Sequence, residues 1–245
     1  MKYVVASDAA ELGRLAAAAV AKRLGQAIAQ RGAARLVLST GASQFDTLAA
    51  LVRLPVDWRK VTMFHLDEYA GLPIDHPASF RKYLMERFVG LVPLAEAVLV
   101  SGEGDLAAQL AHLNRRIAER PIDVGVIGIG ENGHIAFNDP PADFETTVGY
   151  HVVALDDACK AQQVREGWFP SPAEVPAHAI SMTPRQIMAC RSIVSAVPYA
   201  VKAAAVAATL AAIAPDPMIP ASLLKEHDDW TLFLDRDSAP ADLRG

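Results

Sequence analysis

Short apolar, β-rich runs alternate with longer stretches of helical spacing along this chain, and that alternation limits its fold more than any other feature. Strand-like runs recur near residues 2–6, 35–39, 61–66, 97–101, 122–127, 192–197 and 231–234. Between most of them, residues 8–31, 44–53, 79–90, 104–119, 183–190 and 199–213 have the length and apolar spacing of crossover helices. Parallel neighbours in a sheet are reached only through such crossovers. The expectation is an α/β fold of three layers: a doubly wound, mostly parallel open sheet with helices on both faces. A chain of 245 residues that is 52% hydrophobic can bury a large core as a single domain over 1–245.

Asp8 followed by Glu11 reads as a capping box, with Leu12, Leu15, Ala16, Ala19 and Val20 recurring behind it at helical spacing. Asp8, Glu11 and Arg14 also interrupt the apolar character of this alanine-rich start, which argues against a signal peptide. No apolar run is long enough to span a membrane. A net charge of -5 without a basic cluster argues against nucleic acid as a partner. Cys159 and Cys190 have neither metal-ligand spacing nor a disulfide framework, which fits a cytoplasmic protein. Residues 156–176, DDACKAQQVREGWFPSPAEVP, are polar and carry three prolines, and read as a helix followed by a loop. A lid and a surface connection are both open for this insertion, and Trp168 and Phe169 either close over a ligand or pack it down.

Chemistry-bearing residues gather at the ends of the apolar runs, where open α/β sheets place their ligand crevice. GIGENGHIAFNDP, residues 128–140, follows the run 122–127 and brings Asn132, His134 and Asp139 to a strand exit. Gly128, Gly130 and Gly133 allow tight turns and close approach of backbone to a ligand. VTMFHLDEYAG, residues 61–71, ends in Asp67 and Glu68, while His65 reads as a packed or supporting group. ARLVLSTGAS, residues 34–43, ends in hydroxyl and glycine residues before a helical stretch, the pattern of a phosphate cradle. Taken singly, Asp67 and Glu68 also fit solvated strand-end acids, and Ser39 to Ser43 fit a helix cap.

Together, STGAS, FHLDEYAGL followed by HPASF, GENGHIAFNDP, VPYAVKAAAV and the PAS segment at 220–222 resemble the glucosamine-6-phosphate deaminase family in content and order. The 6-phosphogluconolactonases belong to the same superfamily, and DEY with GHIAFN favours the deaminase branch. The resemblance implies an amino-sugar phosphate isomerase/deaminase that needs no cofactor and no metal, acting on a phosphorylated sugar. Asp67 matches the general base that moves a proton between C1 and C2 of the opened sugar. His134 matches the histidine that assists ring opening, Asp139 the acid that orients it, and Asn132 a position shared by aspartate and asparagine. Ser39, Thr40, Gly41, Ala42 and Ser43 match the phosphate loop, Lys202 a phosphate-binding lysine and Lys160 a phosphate-binding arginine. Glu68 and Gly133 complete the expected binding set. Asp139 stands where the family usually has glutamate, and Ala42 where glycine is common. The chain ends before the extra C-terminal region of allosteric members, so regulation by an amino sugar phosphate is not expected. A homo-oligomer is expected from general frequency and from the resemblance. Lactone hydrolysis is the nearest alternative activity, and a non-catalytic sugar-phosphate sensor the alternative of another class.

Overall fold

Helix α1 (Ala9–Arg31) is delimited by local rules at both ends. Asp8 accepts a hydrogen bond from the Glu11 amide, and the Glu11 carboxylate accepts one from the Ser7 amide at 2.7 Å. At the other end Gly32, at φ 77°, donates its N–H to the Ile28 carbonyl, a left-handed stop suited to glycine. In the computed structural model, which describes residues 1–244, this helix joins β1 (Lys2–Ala6) to β2 (Ala34–Leu38). The chain continues through α2 (Phe45–Leu51), β3 (Val61–His65), β4 (Asp67–Tyr69), α3 (Phe80–Leu84), β5 (Glu96–Val98), α4 (Leu106–Ala118) and β6 (Val124–Val126). It ends with β7 (Tyr150–Ala154), α5 (Asp157–Arg165), β8 (His178–Met182), α6 (Pro184–Met188), β9 (Ile193–Val197), α7 (Ala203–Ala211) and β10 (Trp230–Asp235).

Strands β1, β10, β9, β6, β2, β3 and β5, in that order, form one seven-stranded sheet whose neighbours are all parallel. Alternate residues feed two separate cores, because successive strand side chains point to opposite faces. Leu36, Leu38, Met63, Val126 and Ala196 pack with Leu12 and Val20 of α1 and Leu48 of α2. Val37, Phe64, Val197 and Leu234 pack on the other face with Leu113 and Ile117 of α4 and Val206 of α7. The expected sheet with helices on both faces is therefore present. Among the described residues, no helix is long and apolar enough to cross a membrane.

A second, antiparallel sheet of order β4-β8-β7 has no counterpart in the sequence-based expectation. It grows from the first sheet at Leu66, whose N–H donates to the Leu38 carbonyl at 3.2 Å and whose carbonyl accepts from the Met182 amide at 3.0 Å. The acids that read as the end of the run leading out of β3 thus form a strand in a different sheet. The Tyr150 hydroxyl fastens β7 to β3 by donating to the His65 carbonyl at 2.7 Å.

From β2 the chain moves outward to β3 and β5, then returns to β6 on the other side of β2 and proceeds to β9 and β10. The order reverses between β2 and β6, so the switch-point crevice opens at their carboxyl ends. Close packing of α1 on α2 holds the helix into which the lining loop 39–43 runs. A Cβ built on Gly13 would lie 2.6 Å from Asp46 Cβ and 2.9 Å from the Thr47 amide nitrogen, so α2 could not stay in place. Replacing Gly13 by Ala should destabilise the fold by about 1–3 kcal/mol despite alanine's better helix propensity, measurable as a lower denaturant midpoint at unchanged m-value.

Candidate active site

At the reversal point lies a cavity of about 470 Å³, and the residues after β2 form its floor. The Ser39 amide donates to the Val126 carbonyl at 3.0 Å, tying the loop to β6. Gly41, at φ 97°, then turns the chain into a short 3₁₀ turn, Ala42–Gln44, and on into α2. The Tyr83 hydroxyl donates to the Gly41 carbonyl at 3.0 Å, and buried Gln44 donates to the Ala196 carbonyl at 3.0 Å. Ser39 to Ser43 all line the cavity. Lys202 joins them from a single turn, Ala200–Lys202, that follows β9. It is only 8% exposed. Burial lowers its pKa, while the Glu166 and Glu131 carboxylates pull the other way. A buried ammonium that faces a loop of hydroxyls and amides suits an anion, whose charge would offset the desolvation.

Asp67 lines the same cavity from the first residue of β4, paired in register with Ser181 of β8. Burial, and then the neighbouring Glu68 carboxylate, push its pKa up to about 8. Near-neutral acidity of this kind is what a carboxylate needs to take and return a proton at working pH. Glu68 points away, because alternate strand residues face opposite sides. Fully buried, it accepts from the Tyr69, Phe80 and Arg81 amides at 2.9, 3.2 and 2.7 Å and from the Ser79 hydroxyl at 2.9 Å. It is absent from the cavity wall and caps the first turn of α3, which corrects its expected place in the binding set. His65 is likewise fully buried and lies behind the site, with its pKa lowered to about 3 by burial and then by Arg81.

The loop after β6 carries the third group. Nδ1 of His134 stands 3.0 Å from Oδ1 of Asp139. Asn132 braces both partners: its Nδ2 donates to Asp139 Oδ1 at 3.0 Å, and its Oδ1 accepts from the His134 amide at 3.1 Å. Burial raises the Asp139 pKa, but the contact with His134 and the Asn132 hydrogen bond outweigh it and hold the carboxyl below its usual range. An ionised carboxylate at Nδ1 favours a proton there, which leaves Nε2 as the ring's acceptor. Gly130 is required for this placement, since a Cβ there would lie 2.3 Å from His134 Nε2 and Cε1. His134 lines the cavity, whereas Asn132 and Asp139 stand behind it. Gly133, at φ 85°, shapes the loop and does not reach the cavity wall, contrary to its expected binding role.

The insertion 156–176 roofs the cavity. Cys159, Gln162, Gln163 and Glu166 recur at helical spacing, and the latter three line the cavity with Arg165 and Trp168. Lys160 lies one position off that face and is not in the wall. In its stead Arg165 reaches the rim, where it pairs with Glu131 at 2.7 Å. Gln163 accepts from the Tyr69 hydroxyl at 2.6 Å, and Phe169 packs its ring edge to face with Tyr69 at 5.4 Å. Sequence reasoning singled out Trp168 but missed Gln162, Gln163, Arg165 and Glu166, along with Phe80, Phe137 and Tyr199. The recurrence of Cys159, Gln162, Gln163 and Glu166 at i, i+3, i+4 and i+7 was the available signal.

Comparison with known proteins agrees with this architecture. Residues 7–233 match the family described as glucosamine-6-phosphate isomerases/6-phosphogluconolactonase. A glucosamine-6-phosphate deaminase of Lactobacillus delbrueckii subsp. bulgaricus is 34% identical over 241 residues, 98% of this chain and 98% of that protein. One from Streptococcus pneumoniae is 32% identical over 239 residues, covering 97% of this chain and 98% of that protein. A solved monomeric glucosamine-6-phosphate deaminase superposes with a TM-score of 0.86 at 30% identity, covering 97% of this chain and 98% of the other. A 6-phosphogluconolactonase from Trypanosoma brucei shares the fold, with a TM-score of 0.79 at 17% identity and 97% coverage of both chains. The chain belongs to the glucosamine-6-phosphate isomerase/6-phosphogluconolactonase family of enzymes.

Proposed function

We propose that the protein converts a 2-amino-2-deoxy-hexose 6-phosphate, with glucosamine 6-phosphate as its substrate, and water to the ketose 6-phosphate and ammonia. One observation carries this reading. A single cavity collects a carboxyl with a pKa near 8, an imidazole braced by a second carboxylate, and a buried lysine opposite a hydroxyl-rich loop. The loop 39–43 and Lys202 hold the phosphate, with Arg165 in reach at the rim. His134 takes the proton of the anomeric hydroxyl and returns it to the ring oxygen as the ring opens. Asp67 then removes the C2 proton and delivers it to C1 through an enolic intermediate. Asp139 and Asn132 orient His134. Loss of the amine from C2, with water supplying the oxygen, leaves the ketose. The insertion 156–176 serves as a lid that shields the proton transfers from bulk water. We assign the enzyme to the cytoplasm, in keeping with its two unpaired, buried cysteines.

The reading is tested by ammonia release coupled to ketose-phosphate formation, with galactosamine 6-phosphate and 6-phosphogluconolactone assayed in parallel. Turnover of the lactone alone would replace the deaminase by a hydrolase, in which Asp67 has no C2 proton to move.

Replacing Asp67 by Asn is expected to lower kcat by a factor of about 10² to 10⁴, and near-wild-type turnover would remove the general-base assignment. Because Asp67 must be ionised to accept the proton, kcat/KM of the wild type should rise with pH, reach half its plateau at about pH 8 and level off above it.

The same shift has a stability consequence. A carboxyl whose pKa is raised on folding favours the folded state at low pH and loses that advantage as pH climbs from the usual carboxylate range towards about 8. Thermal melting across that window should show the wild type falling relative to Asp67→Asn, and parallel curves would contradict it.

A further inference from the structure

Tyr199 occupies backbone that a tyrosine rarely adopts. Its φ and ψ are 79° and 144°, bordering a region that essentially only glycine populates. Backbone this unfavourable persists only where its surroundings over-determine it, and here a buried carboxylate does so. Asp235, 3% exposed, accepts from the Tyr199 amide at 2.9 Å through one oxygen and from the Ser238 amide at 2.8 Å through the other. Glycine at this position would satisfy the same hydrogen bond without steric conflict. The side chain is not what the fold needs there, since it makes no part of the three apolar cores and remains 38% exposed.

The ring instead lines the cavity, three residues before Lys202 on the turn that delivers the lysine. The loop 39–43 lines the same cavity. Burial, and then the carboxylates of Asp46 in α2 and of Asp235, push the phenol's pKa up. Tyr83, whose hydroxyl holds the Gly41 carbonyl, is in turn raised by burial and affected by Tyr199.

We propose that Tyr199 is a substrate-contacting residue whose ring walls the phosphate end of the cavity between Lys202 and the loop 39–43, and that its strained backbone is the cost of presenting that ring. The proposal rests on the sugar-phosphate reading given above.

Three variants separate ring from strain. Tyr199→Ala removes the ring and keeps the Cβ, Tyr199→Gly removes both, and Tyr199→Phe keeps the ring. Both small variants should raise KM for glucosamine 6-phosphate about tenfold while kcat changes less, and Tyr199→Phe should stay near wild type. Tyr199→Gly should melt about 2–4 °C above Tyr199→Ala, because only glycine relieves the backbone. Protection against melting by inorganic phosphate should weaken in the two small variants and persist in Tyr199→Phe.

A KM and phosphate protection unchanged in Tyr199→Ala and Tyr199→Gly would overturn the contact. An affinity loss in Tyr199→Phe equal to theirs would move the contact to the hydroxyl and overturn the wall. Equal melting of the Gly and Ala variants would remove the strain. Should the wild type turn over no amino sugar phosphate, the functional reading fails, and phosphate protection in the same variants still decides for or against Tyr199.

Discussion

The backbone of Leu66 belongs to two sheets at once, and the site depends on that junction. Its N–H closes the end of the parallel sheet on Leu38, and its carbonyl opens the antiparallel sheet on Met182. The next residue, Asp67, is thereby held in regular strand geometry above the end of β3 while still at the crevice of the parallel sheet. A residue at a loop tip would keep its water. One locked between two hydrogen-bonded ladders does not, and the resulting desolvation sets the near-neutral pKa of Asp67. The register of β4 decides the rest: Asp67 faces the cavity and Glu68 the body of the protein, where five groups hold it, counting the Arg81 side chain 3.7 Å away.

Several ionisable groups are buried around this junction, and each is stabilised differently. Glu68 is saturated by amides and a hydroxyl. Arg81, which also contacts it, reaches Glu103 at 2.5 Å on the surface side. Asp139 is held ionised by His134 and Asn132. Asp67 and Lys202 are left with raised and lowered pKa values respectively, and both line the cavity. Burial raises the pKa of Glu68 too, but its four hydrogen bonds oppose the shift, whereas Asp67 and Lys202 face the space where a ligand sits. Together with the unfavourable backbone of Tyr199, they mark where stability is given up for function.

The alternation of apolar runs and helical segments was enough to read the parallel sheet, its crossover helices and the capped start of α1, because these depend on periodicities of two and 3.6 within a few neighbours in sequence. The motifs at the strand exits were legible for the same reason: Ser39 to Ser43, Asp67 and His134 each follow a recognisable strand. Strands β4, β7 and β8 were not. They are short, mix His, Ser, Asp and Glu with apolar residues, and exist as strands only because they find one another across long sequence separations.

The roles of side chains within those segments show the same division. Glu68 and Lys160 were placed in the binding set by sequence, but Glu68 turns to the opposite face of β4 and Lys160 lies outside the cavity wall beside the residues of α5 that form it. Arg165, Gln163 and Tyr199 reach the cavity for the complementary reason: the docking of α5 and the turn after β9 point them there. The sequence by itself determined the layer architecture and the chemical groups at the crevice, since local pattern and strand polarity suffice for both. Only the tertiary structure decided which of those groups face the cavity and how strongly burial shifts their acidity, because orientation and desolvation come from contacts between segments distant in the chain.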